Sequence, residues 1–157
     1  MKNQKKKYKF TKETVTHNGI TLRRIIATRD FGDVKKGDLG GFIQCEKNLS
    51  HNGNCWVSDN ALAFGNARVS GNAYISENAW VCGNARVGGN ARVSGDSRVS
   101  GDSRVYDNAW VYGNAYISEN AWVCGNAWVF GDSRVFGDSR ILGDSRVSGN
   151  ARGEASR

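Results

Sequence analysis

The chain has 157 residues, no proline, twenty glycines and a modest apolar fraction of 39%, a mix at odds with a helical bundle and suited to short strands joined by glycine turns. No run of 18 apolar residues occurs, so no transmembrane helix is expected, and the basic start lacks the apolar stretch of a secretory leader, which points to a cytoplasmic protein. The net charge of +7 lies wholly in residues 1–54, where nine Lys and three Arg face five acids; residues 55–152 balance nine Arg against nine acids.

Residues 1–42 read as a basic β-hairpin unit. Tyr8 to Thr16 alternates as a strand, Asn18-Gly19 is a hairpin signal, and Ile20 to Thr28 returns with Ile20, Leu22, Ile25 and Ile26 available for burial. Lys36-Gly37-Asp38 and Gly40-Gly41 read as turns. Such a unit would cap a solenoid that otherwise exposes open strand edges. Its basic run reads first as a solvated tail. The alternative is a contact with a nucleic-acid backbone, for which Lys5, Lys6, Lys7, Lys9, Arg23 and Arg24 are the candidates.

Residues 43–152 read as the body of the protein and 153–157 as a tail. From Cys55 to Asn150 the chain divides into sixteen hexads without insertion, reading small, variable, Val or Ile, variable, mostly Gly, then Asn or Asp. Ala63 is the one exception in the Val/Ile slot, and Leu49 to Asn54 looks like a degenerate first member with His51 in an inward slot. Period six cannot hold one face of a helix but can hold one face of a strand. The small residue and Val/Ile then point inward, their neighbours point outward, and Gly-Asn or Gly-Asp turns the corner. Three hexads close a triangle, giving an 18-residue coil, and successive coils stack about 4.8 Å apart.

The run Val-x-Gly-Asn-Ala-x resembles the hexapeptide repeat of left-handed parallel β-helix proteins, and the match covers 96 residues. The fold implied is an all-β, left-handed parallel β-helix with a small hairpin cap. The segments Asp30 to Gly41, Asn48 to Ser50 and Gly53 to Val57 further resemble small uncharacterised phage and prophage proteins of this class.

That resemblance also raises acyl transfer, which in such proteins generally uses a histidine base and often a loop that breaks the coils. Here His17 falls at a turn, His51 reads as inward, and no loop interrupts the hexads, so no catalytic residue, cofactor or metal is expected and the chain reads as not an enzyme. Cys45, His51 and Cys55 match no zinc spacing, and the four cysteines read as free thiols. Asn48-Leu49-Ser50 fits a glycosylation acceptor but carries no weight without a leader.

The outward slots carry more. All five tryptophans precede a Val/Ile position, which predicts that they point outside. With an 18-residue coil, Trp110 stacks under Trp128 and Tyr112 under Phe130 on one face, while Tyr106, Tyr116, Trp122 and Phe136 decorate the neighbouring faces at similar height. Together they predict one contiguous exposed aromatic patch, of the kind that marks an interface. The competing reading is that aromatics and arginines stack to stabilise adjacent coils. The arginines from Arg92 onward alternate with corner aspartates, which suggests local pairing. Gly71 to Ala85 recurs letter for letter at Gly113 to Ala127, seven hexads on, so the copy should land on a different face.

The sequence therefore leads to a surface-presenting solenoid whose partner is a protein or a second copy of itself, with no membrane contact. An accessory or inhibitory phage protein acting on a host complex is the first expectation, a self-associating structural protein the second, an acyltransferase the third.

Overall fold

The computed structural model describes residues 6–148 and the strand backbone of Arg152–Gly153. Strand β1 (Tyr8–His17) turns through Asn18 and Gly19, at φ 51° and 80°, into antiparallel β2 (Ile20–Ala27). Positive φ at both central residues is what a two-residue hairpin turn demands. Strand β3 (Leu39–Ile43) pairs antiparallel with β2 on one side and parallel with β5 (Leu62–Ala63) on the other. The hairpin thus continues one wall of the solenoid and covers its terminal edge, where unpaired strand groups would otherwise invite another chain.

From β4 (Trp56–Val57) onward each hexad contributes a two-residue strand, and each strand pairs in parallel with the strands one coil before and after. Three walls result. The first runs through Ile43, Ala63, Val81, Val99, Ile117 and Val135; the second through Leu49, Val69, Val87, Val105, Val123 and Ile141; the third through Val57, Ile75, Val93, Val111, Val129 and Val147. From Ile43 to Val135 these side chains are at most 1% exposed, and in the last coil Ile141 and Val147 are partly buried. The fold is the left-handed parallel β-helix that the repeat predicts, with six coils.

The first coil departs from the hexad. Ile43 pairs with Ala63 and Leu49 with Val69, twenty residues apart, whereas Val57 pairs with Ile75, eighteen apart. Gly41, Phe42 and Ile43 therefore begin the solenoid, Leu49 fills the aliphatic slot, and two extra residues are inserted between Ser50 and Asn54. His51 belongs to this insertion, so the inward position expected for it is corrected. Its ring lies flat on Tyr8, with centroids 4.1 Å apart, and Nε2 faces Glu46 Oε1 at 3.1 Å.

The inserted turn presents its carbonyls toward the cap, and Lys7 answers them. Its Nζ donates to Gly53 O at 3.1 Å and Cys55 O at 2.8 Å, and lies 3.4 Å from Cys55 Sγ. Burial lowers the Lys7 pKa, opposed by Cys55, and raises that of the Cys55 thiol. Asn48 is likewise buried and fully used: its Oδ1 accepts from the Gln44 and Cys45 amides, and its Nδ2 donates to Gly65 O and Ala67 O. Two apolar clusters complete the cap. Tyr8, Ile25, Phe31, Val34 and Trp56 close the end of the prism, while Leu22, Phe42, Leu62 and Phe64 seal the hairpin against the outside of the first wall.

At the corners, asparagine amides form ladders between coils, as from Asn66 Nδ2 to Asn84 Oδ1 at 3.2 Å and from Asn84 Nδ2 to Asp102 Oδ1 at 2.9 Å. The serines that follow corner aspartates turn back to the chain. Ser97, Ser103, Ser133, Ser139 and Ser145 each donate to the carbonyl three residues back.

Candidate functional site

The outward position before each aliphatic residue forms a column on each wall. On the third wall the column is Trp56, Tyr74, Arg92, Trp110, Trp128 and Arg146. Trp110 and Trp128 stack in parallel with centroids 5.3 Å apart and planes 6° apart. Beside them Tyr112 and Phe130 stack at 5.0 Å and 4°. Each pair meets the other edge-on, with Trp110–Tyr112 and Tyr112–Trp128 both at 6.3 Å. These four rings form one block because residues 18 apart share a column and residues two apart share a face.

The block does not extend around the prism. Tyr116 stands on the first wall between Arg98 and Arg134, and Trp122 on the second between Arg104 and Arg140. The contiguous patch expected of these aromatics is thus corrected to four on one wall, with Tyr116 and Phe136 belonging to the first wall and Trp122 to the second. The triangular section forces this separation, since consecutive hexads face different directions.

Not all tryptophans point to solvent, either. Trp56 is 2% exposed, packed edge-on to Phe31 and Tyr8 beneath the cap. Trp80 is half-covered by His17, whose ring centroid is 4.0 Å away, and by Arg98 at 3.9 Å. The cap was long enough to fold over outward slots of the first coils, which a repeat count alone does not reveal.

Local pairing of solenoid arginines with corner aspartates is also corrected. Among the described residues the ion pairs are Lys6–Glu46, Arg24–Glu13 and His51–Glu46, all involving the N-terminal region. From Arg92 to Arg146 the solenoid arginines lie instead over rings, as with Arg92 over Trp110, Arg134 over Tyr116, Arg104 and Arg140 over Trp122, and Arg146 over Trp128, at 4.5–5.6 Å. A guanidinium over the ring of a neighbouring coil is attracted by the negative face of that ring.

The proposed basic contact surface divides. Lys7 is fully buried and Arg24 is tied to Glu13 Oε1 at 2.8 Å and Gly40 O at 2.7 Å, so neither is a free surface cation. Lys6 pairs with Glu46 at 3.1 Å. Lys9 and Arg23 are exposed, the latter over Phe10, and Lys5 lies outside the described residues.

Next to the aromatic block, the third wall is hollowed. A groove of about 670 Å³ runs between the Gly32–Leu39 loop and the wall, past Ser58, Tyr74 and Arg92. A smaller one of about 170 Å³ shares Tyr74 and Arg92 and reaches Trp110 and Tyr112. Small serines at 58, 76 and 94 leave this space, where Tyr112 and Phe130 fill the same column higher up. Sequence reading missed the groove because it is made by the cap loop, not the repeat. Of the two histidines, His51 has both ring nitrogens engaged: Nδ1 accepts from the Lys7 amide at 3.2 Å and Nε2 faces Glu46, whose pKa is lowered by this contact and by Lys6.

Fold and surface define a β-solenoid of the hexapeptide-repeat class, with an ordered ladder of outward side chains. In comparison with known proteins, residues 64–83 and 85–101 match the family described as the YdcK beta solenoid repeat. Over 54 residues the chain is 50% identical to a protein of Escherichia coli (strain K12) named "Uncharacterized acetyltransferase YdcK". The match takes in 34% of this chain and 17% of that protein, so the chain spans about a sixth of its relative's length. These matches support the β-helix class and lend nothing to the phage resemblance. They also overturn the expectation of a chain that is not an enzyme, since half of the matched residues are shared with a protein named an acetyltransferase.

Proposed function

We propose that the solenoid serves as a recognition surface, engaging a macromolecular partner along its third wall. The observation that supports this reading is the block of Trp110, Tyr112, Trp128 and Phe130 continuing into the grooves beside Tyr74 and Arg92. Exposed aromatics beside a hollow offer large contact area at little cost in side-chain freedom. A protein partner and a second copy of the chain are separated by sedimentation of the wild type and of the Trp110→Ser/Trp128→Ser variant. Self-association requires a wild-type oligomer that the variant loses; a protein partner requires a monomer whose captured partner is lost with the variant. A variant that keeps both the assembly and the partner of the wild type would refute the reading.

A second reading, acyl transfer, is favoured by the name of the Escherichia coli relative. It is compatible with the first, because a transferase can carry its recognition surface on the same solenoid. Release of free thiol from acetyl-CoA in the presence of amine and hydroxyl acceptors tests it. Turnover above the uncatalysed rate supports transfer, and a calorimetric titration with acetyl-CoA that stays flat counts against it.

A further inference from the structure

The second wall carries a run of cations that stacking does not explain. Its outward column begins Arg68, Arg86, Arg104, three arginines on successive coils paired in direct register. On the third wall Arg92 lies between Tyr74 and Trp110, and on the first wall Arg98 lies between Trp80 and Tyr116. Arg92 and Arg98 thus each stand between two rings. Here Arg104 is turned onto Trp122 at 5.2 Å, but among the described residues Arg68 and Arg86 have neither a ring over them nor a carboxylate at ion-pair distance. Like charges directly opposite on neighbouring strands, about 4.8 Å apart, destabilise a sheet.

The space around them is shaped. Arg68 and Arg86 line a groove of about 530 Å³, with Lys47 and His51 at one end and Tyr106 at the other. That volume lies within the range of small-ligand sites. Tyr106 leans back toward the first coils, over Gly88. A Cβ on that glycine would stand 2.6 Å from Tyr106 Cε1 and 3.1 Å from Ser70 Oγ. Gly88 thus makes room for the ring that closes the groove. The one acid in the lining, Glu46, is already met by Lys6 and His51 at 3.1 Å each.

We propose that this groove binds a small anion carrying two or more phosphoryl groups, with Arg68 and Arg86 each meeting a different phosphoryl. Guanidinium groups present paired donors that match phosphate oxygens, and the bound charge removes the repulsion between the two coils. Lys47, which donates to Asn66 Oδ1 at 3.1 Å, adds a third cation at the rim. The site lies on a different wall from the aromatic block and stands or falls independently of the recognition reading.

Calorimetric titration of the full chain with inorganic tripolyphosphate and with ATP, at low salt, tests it. Saturable binding is expected, weakened tenfold or more by Arg86→Gln and unchanged by Arg134→Gln on the first wall. The circular dichroism of both variants should match the wild type, since both side chains are exposed. Equal affinity for the two probes identifies the phosphate chain as the whole ligand. Tighter binding of ATP, with the excess abolished by Tyr106→Ala, identifies a nucleotide. No saturable heat with either probe, or an Arg86→Gln variant that binds like the wild type, overturns the proposal.

Discussion

Replacing Gly41 with alanine separates the geometry of the first coil from the rule of the repeat. Gly41 occupies the small slot, two residues before Ile43, where later coils carry alanine or serine. By the repeat alone, Gly41→Ala should stabilise: it restricts the unfolded chain by about 0.4–1 kcal/mol and buries a methyl group for about 0.8 kcal/mol. The structure reverses the sign. A Cβ at this position would lie 2.5 Å from Ala61 O, 2.8 Å from Val57 Cγ1 and 3.1 Å from Ser58 O. The Ala61 carbonyl cannot swing aside freely, because it accepts the Phe42 amide at 3.0 Å in the rung that joins β3 to the second coil. Overpacking of this kind costs about 1–3 kcal/mol, and loosening the rung adds about 0.5–1.5 kcal/mol. The expected balance is a net loss of about 1–2 kcal/mol, against a gain of similar size from the repeat rule. Urea unfolding followed by far-ultraviolet circular dichroism reads it as a lower midpoint. A midpoint equal to or above that of the wild type would refute the packing described for the first coil.

The remaining predictions concern the cap and the corner ladders. Tyr8 donates to Leu49 O at 2.7 Å, and burial raises its pKa above that of an ordinary phenol. A raised folded pKa gives stability that is complete below the unfolded value near 10 and is lost as pH rises. Tyr8→Phe should therefore lower the urea midpoint at pH 8, and the gap between variant and wild type should narrow above pH 10; a gap independent of pH would contradict it. At the corners, no aspartate in the described ladders stacks on another, as in Asp96, Asn114 and Asp132. Asn114→Asp would set carboxylates on three successive coils and should cost about 1 kcal/mol at low salt, recovered on raising the ionic strength. A loss unaffected by salt would point to another cause.

The coil was legible in the sequence because one physical constraint repeats: Val or Ile every sixth residue has a single way to share an inside. The hairpin was legible for a local reason, the Asn18-Gly19 pair. What escaped was set by contacts between distant segments. Lys7 counted as a surface charge because sequence shows its type and not the carbonyls of Gly53 and Cys55 that enclose it. Trp56 counted as exposed because its slot points outward, and only the cap makes outward mean buried. The two-residue insertion was visible in principle, since Leu49 to Val57 spans eight residues where six is the rule. Taking Leu49 for the small slot concealed it and misplaced His51. The aromatic residues were correctly stacked in pairs and assigned to neighbouring faces, but the rings of those faces were read as continuous across the corners that divide them.

The most direct test of the 18-residue register is a pair of double-mutant cycles on outward tryptophans, measured by urea unfolding. Trp110 and Trp128 are eighteen apart and stack at 5.3 Å; Trp110 and Trp122 are twelve apart and stand on different walls. A coupling of about 0.5–1.5 kcal/mol is expected for the stacked pair, and none beyond error for the pair that is nearer in sequence. Coupling between Trp110 and Trp122, with none between Trp110 and Trp128, would contradict a three-sided coil of eighteen residues.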